Sequence, residues 1–442
     1  MKQTALILSA SLSLALSAFG ENTNQPMNLD LVAAQKIALQ KHPEIAAADY
    51  HSMAAQEIVK ETRAGFFPTV NLFGTAAGVN EPGARILAGG INNPSVYDRA
   101  AVGVAASQLI TDFGQTANLT ASSKFHAQAE QQNANATREQ ILLEVSAGYF
   151  NVLKAQSVLR VAEQTLDTRK VLFNYVSLQA SNKLKSELDV AFARVALSEG
   201  ELLLQRARND ANGAMISFSS TLGYHESQTF VLSEPAEFTA SAVTNVEKLV
   251  QTSLQKRPEL VSLRDRYQST LRLAKSQGDA RLPVISAVGV AGEAPVRDDH
   301  LSENYAAGAL QLNLPLFEGG RLVAREKESE YQAMADNELL RAAEDNVVRD
   351  VHLAVLNLND SLEEYQSTEE LARNAAETYQ LAEARYNIGS TSMVELSQAQ
   401  LALTSAQIAA SRARYNVLIE RANLSYQIGE LNSSSAAFLN GF

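Results

Sequence analysis

The chain has 442 residues, of which 46% are hydrophobic and 19% charged, and its formal net charge is −12. This acidic excess argues against a nucleic-acid binder, because neutralising phosphates requires clustered Lys and Arg. The lack of cysteine excludes disulfides, thiolate metal sites and cysteine nucleophiles. The sequence contains only 10 Pro and 22 Gly, and this composition favours long helices.

The first 20 residues have the features of a secretory signal peptide. Lys2 precedes an apolar run from Ala5 to Leu16, and the small residues Ala18 and Gly20 follow it. The run is too short to span a bilayer, which needs about 20 residues, and a buried first helix is the alternative. No later apolar run is long enough for a transmembrane helix. We therefore expect residues 1–20 to be removed and the mature chain to leave the cytosol.

The remaining sequence divides into two related halves. Corresponding residues recur at nearly constant separations, as four pairs show: Pro43 and Pro258, Pro68 and Pro283, Gly114 and Gly320, Ala193 and Ala399. Such a long internal period indicates repeated supersecondary units. We interpret residues 21–223 as the first structural repeat, 224–430 as the second, and 431–442 as a C-terminal tail.

Each half contains a predicted β-hairpin, at residues 69–111 in the first and 284–316 in the second. In the second hairpin Leu310, Leu312, Leu314 and Leu316 alternate with smaller or polar residues. This period of two predicts strands with one apolar and one polar face. Pro, Gly, Asn and Asp between the strands predict loops at about 80–98 and 293–304.

A pair of long helices follows each hairpin, at residues 114–222 and 320–427. Residues 114–180 and 320–387 contain no Pro, and a helix of about 65 residues is about 100 Å long. Apolar residues recur at steps of three and four, and helices of this length predict a coiled coil or bundle. The chain turns back near residues 180–184 and again near 386–390.

Four strands per chain cannot close a barrel, and open sheet edges are not tolerated in lipid. Strands from several chains would have to combine, and three chains would supply about twelve strands. The apolar face would then contact lipid, and the long helices would continue from the barrel as a cylinder in the periplasm. The alternative is a soluble helical protein with two peripheral hairpins.

Several motifs resemble those of the outer membrane efflux protein family, the TolC-like exit ducts. They open the strands and the long helices or surround the helix turns, at residues 68–70, 112–115, 184–190, 283–285, 317–321 and 385–389. The resemblance covers essentially the whole mature chain. It implies a mainly α protein with a small β part: a homotrimer with a 12-stranded outer-membrane β-barrel and a periplasmic α-helical tunnel. It also implies a periplasmic adaptor (membrane fusion) protein and an inner-membrane pump as partners.

The resemblance also implies a closed periplasmic tip at the two helix turns. The candidate gate residues carried over are Asp189, Tyr386, Thr391, Glu395 and Gln398. The candidate adaptor-docking residues are Asn182, Lys183, Leu184, Ile388, Gly389 and Ser390. Thr391 replaces an Arg of some members, and Gln398 replaces an acid, so a salt-bridged latch is not expected. A ring of three Glu395 carboxylates would repel one another and attract cations.

Nothing in the sequence predicts an enzyme, a cofactor or a metal site. No two of the six His residues have the spacing of ligands on one helix face, and His42, before Pro43, is expected to serve a turn. Neither a phosphate-binding GxxxxGK[ST] motif nor a GxSxG motif is present. The sequence therefore predicts an outer-membrane exit duct for efflux or type I secretion. The alternatives are a coiled-coil spacer or adhesin of the cell envelope and the periplasmic adaptor itself.

Overall fold

The computed structural model describes residues 27–78, 84–85, 95–96, 98–235, 245–297 and 302–431. The predicted signal peptide, residues 1–20, and nearly all of the C-terminal tail lie outside these ranges. Within them the chain is mainly helical with a small β part, as the sequence predicts. None of the helices in the described ranges is long and apolar enough to cross a membrane.

Eight helices account for most of the described chain. They are α1 (Leu31–Lys41), α2 (Pro43–Ala64), α3 (Gln115–Ser181), α4 (Glu187–Thr221), α5 (Val246–Lys256), α6 (Pro258–Asp279), α7 (Arg321–Asn387) and α8 (Met393–Gln427). The strands are β1 (Met27–Leu29), β2 (Thr69–Ala77), β3 (Ala84–Arg85), β4 (Ser95–Val96), β5 (Arg99–Thr111), β6 (Phe230–Leu232), β7 (Val284–Val296) and β8 (Asn304–Asn313).

The helices of the two halves have matching lengths. In chain order, the helices of each half contain 11, 22, 67 and 35 residues. Each half also begins with the same break between its first two helices, where a proline occupies the first helical position of α2 and of α6. Proline is favoured at that position because its missing N–H would have no helical partner there.

Local hydrogen bonds explain where the short helices begin. The Ala33 N–H donates to the Asp30 carboxylate at 2.7 Å at the start of α1, and the Glu44 N–H donates to His42 Nδ1 at 3.3 Å at the start of α2. Both are side-chain caps on otherwise unpaired helix N–H groups. The turn role expected for His42 is therefore its role in the structure.

Each of the two 67-residue helices, α3 and α7, begins at a sharp corner after the strands of its half. Gly114 has φ +116° and Gly320 has φ +85°, in the left-handed region that glycine adopts without steric cost. At the first corner the Asp112 carboxylate accepts hydrogen bonds from the N–H groups of Gly114 at 3.1 Å and Thr116 at 2.7 Å. This carboxylate therefore fixes the direction in which α3 leaves the sheet.

The main sheet has four antiparallel strands in the order β2-β5-β7-β8. The central pairing, β5 with β7, joins the two halves of the chain, and β2 and β8 are the edges. Strand β7 continues to Val296, so the predicted loop at 293–304 begins too early. Strand β8 ends at Asn313, so Leu314 and Leu316 lie beyond it, because Pro315 cannot donate a ladder hydrogen bond.

The register places six large, exposed aliphatic side chains of the sheet on one face. Leu72 pairs with Val104, and Leu310 and Leu312 pair with Ala287 and Ile285. We call this the apolar sheet face, and its large exposed members are Val70, Leu72, Val102, Val104, Leu310 and Leu312. Leu72 and Leu310 are each 77% exposed, so no described residue of the same chain covers them. The opposite face carries the polar residues Asn71, Ser107, Ser286 and Gln311, together with Val288 and Val290.

The largest core cluster lies midway along the molecule, where α1 packs on α3. Tyr149 of α3 is fully buried there, and its hydroxyl donates to the carbonyl oxygens of Leu29 at 3.1 Å and Ser233 at 2.6 Å. These two residues flank the parallel pairing of β1 with β6. The core therefore ties the chain before α1 to the segment that follows α4.

Candidate functional site

The two turns between long helices lie side by side at one end of the molecule. Their helices share a buried cluster, the tip cluster, formed by Val176, Val190, Ala193, Ala382, Tyr386, Met393, Leu396 and Ala399. The cluster joins the α3–α4 pair to the α7–α8 pair. All the candidate gate and docking residues lie on or next to these turns.

In the first turn, Asp189 caps a helix. Its carboxylate accepts from the Ser186 N–H at 3.1 Å, and its own N–H donates to Ser186 Oγ at 3.2 Å. This reciprocal pair is a capping box that starts α4. Lys183 has φ +62°, so a lysine holds the left-handed position that a glycine usually takes.

In the second turn, Glu395 is bound within its own helix pair. Arg385 at the end of α7 donates to its carboxylate at 3.2 Å, and the Thr391 hydroxyl forms a short hydrogen bond with it. The Glu395 N–H donates to Ser392 Oγ at 3.2 Å at the start of α8. Gly389 has φ +76° and occupies the position corresponding to Lys183. This ion pair lies within the second turn and does not link the two turns, so it differs from the salt-bridged latch that the sequence argues against.

Tyr386 is the buried anchor between the two turns. Its side chain is 2% exposed, and the Lys185 ammonium lies 3.9 Å from the centroid of its ring, in cation–π contact. Burial, together with the nearby Asp189 and Tyr175, raises the pKa of the Tyr386 hydroxyl to about 12. The hydroxyl therefore stays protonated at neutral pH. Lys185 and Tyr386 connect the first turn directly to the second.

The candidate docking residues are exposed at the ends of the turns. Leu184 is 68% exposed and Ile388 is 79% exposed, so each turn presents one large apolar side chain. Asn182, Lys183, Gly389 and Ser390 are also exposed, and the Asn182 amide donates to the Leu178 carbonyl at 2.9 Å. Gln398 is exposed on α8, about one helical turn after Glu395.

Sequence reasoning missed two basic residues of the site, Arg385 and Lys185. Arg385 lies ten residues before Glu395, on the other side of the turn. Opposite charges on the two sides of a tight turn are the sequence signal that could have identified it. Lys185 interacts across two chain segments far apart in sequence, and no local pattern predicts that contact.

A helical body with helices of 35 and 67 residues, attached to a sheet whose apolar face is exposed, is the arrangement that the sequence predicts for an outer-membrane duct. The comparisons with known proteins agree with this class. The family model described as outer membrane efflux protein matches residues 35–224 and 249–430. The chain belongs to the outer membrane efflux protein family.

Individual relatives and solved structures extend over nearly the full chain. The outer membrane protein TolC of Escherichia coli K12 is 24% identical over 98% of this chain and 88% of TolC. A membrane protein from Pseudomonas aeruginosa superposes with a TM-score of 0.80 at 21% identity, over 90% of this chain and 93% of that one. The Campylobacter jejuni CmeC outer membrane channel superposes with a TM-score of 0.77 at 15% identity, over 98% and 96% of the two chains.

The chain is therefore an outer-membrane exit duct for efflux that extends into the periplasm, and it is not an enzyme. The family assignment decides against the two alternatives, a coiled-coil spacer or adhesin and a periplasmic adaptor. Ducts of this family work together with adaptor proteins and inner-membrane pumps.

Proposed function

We propose that three copies of this chain combine their sheets into one closed 12-stranded barrel in the outer membrane. The observation that carries the proposal is the four-stranded sheet with two edges, β2 and β8, and one exposed apolar face. In lipid each unpaired backbone N–H or C=O group of an edge strand costs several kcal/mol, so β2 of one copy pairs with β8 of the next. The apolar sheet face then contacts lipid, and the face with Asn71 and Gln311 lines the lumen.

Exposed apolar residues on the outer helices support the same assembly. Tyr50 and Met53 on α2 are 70% and 58% exposed, and Tyr331 and Met334 on α7 are 66% and 62% exposed. Within one chain α3 packs between α2 and α6, and α6 packs against α7, which leaves α2 and α7 at opposite ends of the row. Adjacent copies bury these side chains when α7 of one packs on α2 of the next, and the helices form a tunnel.

The mass of the detergent-extracted outer-membrane species tests this assembly. We expect light scattering to give a protein mass close to three times that of the mature chain, which is slightly below the 47.7 kDa of the full sequence. Negative-stain images should show a hollow cylinder well over 100 Å long, because α3 and α7 alone are each about 100 Å. A monomer, or a solid rod, would refute the trimeric duct.

The two halves of the chain are further proposed to be structural repeats, residues 21–223 and 224–430. The matching helix lengths and the matching positions of Lys183 and Gly389 support this. Three chains with two repeats each give the tunnel six related helix pairs around its axis.

The tip of the tunnel is proposed to be its gate, with Glu395 and Gln398 directed towards the axis. Opening requires the α7–α8 pair to move away from the α3–α4 pair, which disturbs the tip cluster around Tyr386. The exposed turn residues, with Leu184 and Ile388 as apolar anchors, are proposed to dock the periplasmic adaptor, and the adaptor connects the duct to its inner-membrane pump.

Replacing Glu395 with Gln tests the gate. Three carboxylates close to one axis bind multivalent cations, so we expect a trivalent cation at the periplasmic side to block the wild-type channel in a planar bilayer. Glu395→Gln should weaken that block by about tenfold or more. Glu364→Gln, which removes an exposed carboxylate from α7 away from the turn, serves as the control. Equal block in both variants would place the constriction elsewhere.

A further inference from the structure

A surface groove separates α3 from α7 just before the tip, and α8 forms its floor. Its volume is about 460 Å³, within the range of 300–1,000 Å³ common for small-molecule sites. The groove is built by one chain, so it does not depend on the proposed trimer. Its apolar and aromatic lining is Val171, Leu172, Tyr175, Tyr379, Tyr386 and Leu396.

Two carboxylates give this groove a negative charge. Asp167 on α3 and Glu383 on α7 lie on opposite walls, and both are exposed. Glu383 accepts a hydrogen bond from the Tyr379 hydroxyl at 3.1 Å, and Asp167 forms no ion pair within the described part of the chain. The groove lining includes no Lys, Arg or His. Neither charge is therefore neutralised by the walls of the groove.

Tyr386 adds a polar group that has no partner. Its hydroxyl is buried and makes no hydrogen bond in the described residues, although a buried hydroxyl normally finds a partner. Its ring already accepts a cation, since the Lys185 ammonium lies 3.9 Å from the centroid. The rings of Tyr175 and Tyr379 in the same lining provide further aromatic surface suited to an organic cation, and the Tyr386 hydroxyl can donate to an acceptor on a bound molecule.

We propose that this groove binds small organic cations that have an aromatic body and a hydrogen-bond acceptor. The positive charge lies between Asp167 and Glu383, and the aromatic body packs on the tyrosine rings and on Leu396. The acceptor takes the hydrogen bond that the Tyr386 hydroxyl otherwise lacks. Because α3 and α7 belong to different helix pairs, a molecule in the groove bridges the two pairs.

Equilibrium dialysis with N-(4-methoxybenzyl)pyridinium tests the proposal, with the full-length protein in lipid nanodiscs and empty nanodiscs as the blank. We expect saturable binding that the double variant Asp167→Asn/Glu383→Gln weakens by about tenfold. The double variant Glu144→Gln/Glu377→Gln removes two exposed carboxylates from the same two helices outside the groove. This matched control should bind like the wild type.

Two further comparisons separate the charge from the hydrogen bond. The uncharged analogue 4-(4-methoxybenzyl)pyridine, used at pH 8, should bind at least tenfold more weakly than the cation. Tyr386→Phe should weaken binding of the methoxy probe several-fold and leave N-benzylpyridinium, which lacks the acceptor, unchanged.

Equal affinity for the charged and neutral probes would overturn the cation site, as would equal loss in the two double variants. Absence of saturable binding to the wild type would also overturn it. None of these results bears on the trimer, which the mass measurement tests separately.

Discussion

At the residue scale, the two turns differ in the residue type at one left-handed position. Lys183 and Gly389 occupy corresponding places, and both have positive φ, but only glycine adopts that conformation without steric cost. A residue with a Cβ in the left-handed region costs about 1–2 kcal/mol. The first turn therefore stores strain that the second does not.

Lys183→Gly should stabilise the protein, because it removes this strain. The glycine also raises the conformational entropy of the unfolded chain, but the free-energy cost of that change is smaller than the strain removed. The expected gain is below about 1 kcal/mol, measured as a rise in the midpoint of thermal unfolding and slower hydrogen exchange at the first turn. Gly389→Ala is the reverse change, and it should destabilise by about 1–2 kcal/mol although the space around it is open. A loss of stability in Lys183→Gly would show that the lysine side chain outweighs its backbone strain.

The raised pKa of Glu139 on α3 predicts that the stability of the protein depends on pH. Burial and, less strongly, the Glu259 charge raise this pKa from 4.5 to about 7, although Arg257 opposes the shift. Since the folded state holds the proton more tightly than the unfolded state, this group's stabilising contribution is complete below about pH 4.5. It is lost as the pH rises through 7.

Glu139→Gln should therefore raise the free energy of unfolding at pH 8 by about 1–2 kcal/mol and flatten its decline between pH 5 and 8. Thermal unfolding at a series of pH values measures this. Glu144→Gln, an exposed change on the same helix, should leave the profile unaltered. An unchanged profile in Glu139→Gln would contradict the assignment.

The candidate site shows how far single residues could be predicted. Resemblance named Tyr386, Glu395 and the residues of both turns as candidates, and their roles in gating and docking stay predictions. It did not identify the capping role of Asp189 or the Arg385–Glu395 ion pair. Both depend on side-chain directions around a turn, which residue types alone do not specify.

At the scale of elements, helices were more predictable than strands. The outer bounds expected for the two helix pairs, 114–222 and 320–427, differ from the observed ones by at most one residue, because glycine corners and uninterrupted helix-forming stretches define them. The strand ends were wrong at Val296 and Asn313. Strand ends depend on partners across the sheet, and the pairing of β5 with β7 joins segments that are far apart in sequence.

A close approach between β5 and β7 makes Gly292 essential to the sheet. A Cβ at Gly292 would lie 2.3 Å from the Val102 carbonyl oxygen and 2.7 Å from the Gly103 Cα, and neither backbone atom can move aside. Gly292→Ala should therefore destabilise the sheet by about 1–3 kcal/mol, measured by urea unfolding in lipid vesicles.

Gly308→Ala provides the control in the same sheet. Its added Cβ would lie 3.9 Å from the Val288 carbonyl oxygen, an ordinary contact, and a normal φ makes the change tolerable. Similar stability for both variants would show that β5 and β7 can separate slightly without loss.

At the scale of the whole molecule, the sheet makes each chain depend on its neighbours. The helices bury much of their apolar surface within one chain, whereas the apolar sheet face and both sheet edges remain uncovered. Because one face of the sheet is apolar and exposed, the alternation of leucines with smaller or polar residues was enough to predict which side chains of β8 share a face. In the proposed barrel, closure of the sheet requires several chains, and no single residue in the sequence specifies their number.

The pairing of α3 with α6 has a consequence for the order of folding. Asn118 and Ser122 of α3 bond to Asp279 and Ser269 of α6, just below the ends of β5 and β7. Strand pairing across so long a stretch of chain is slow, because the entropy of closing the loop must be overcome first. Helices form from local contacts much sooner. Packing of α3 on α6 closes the same long loop, so once these two helices are paired they can act as a template that holds β5 and β7 close together.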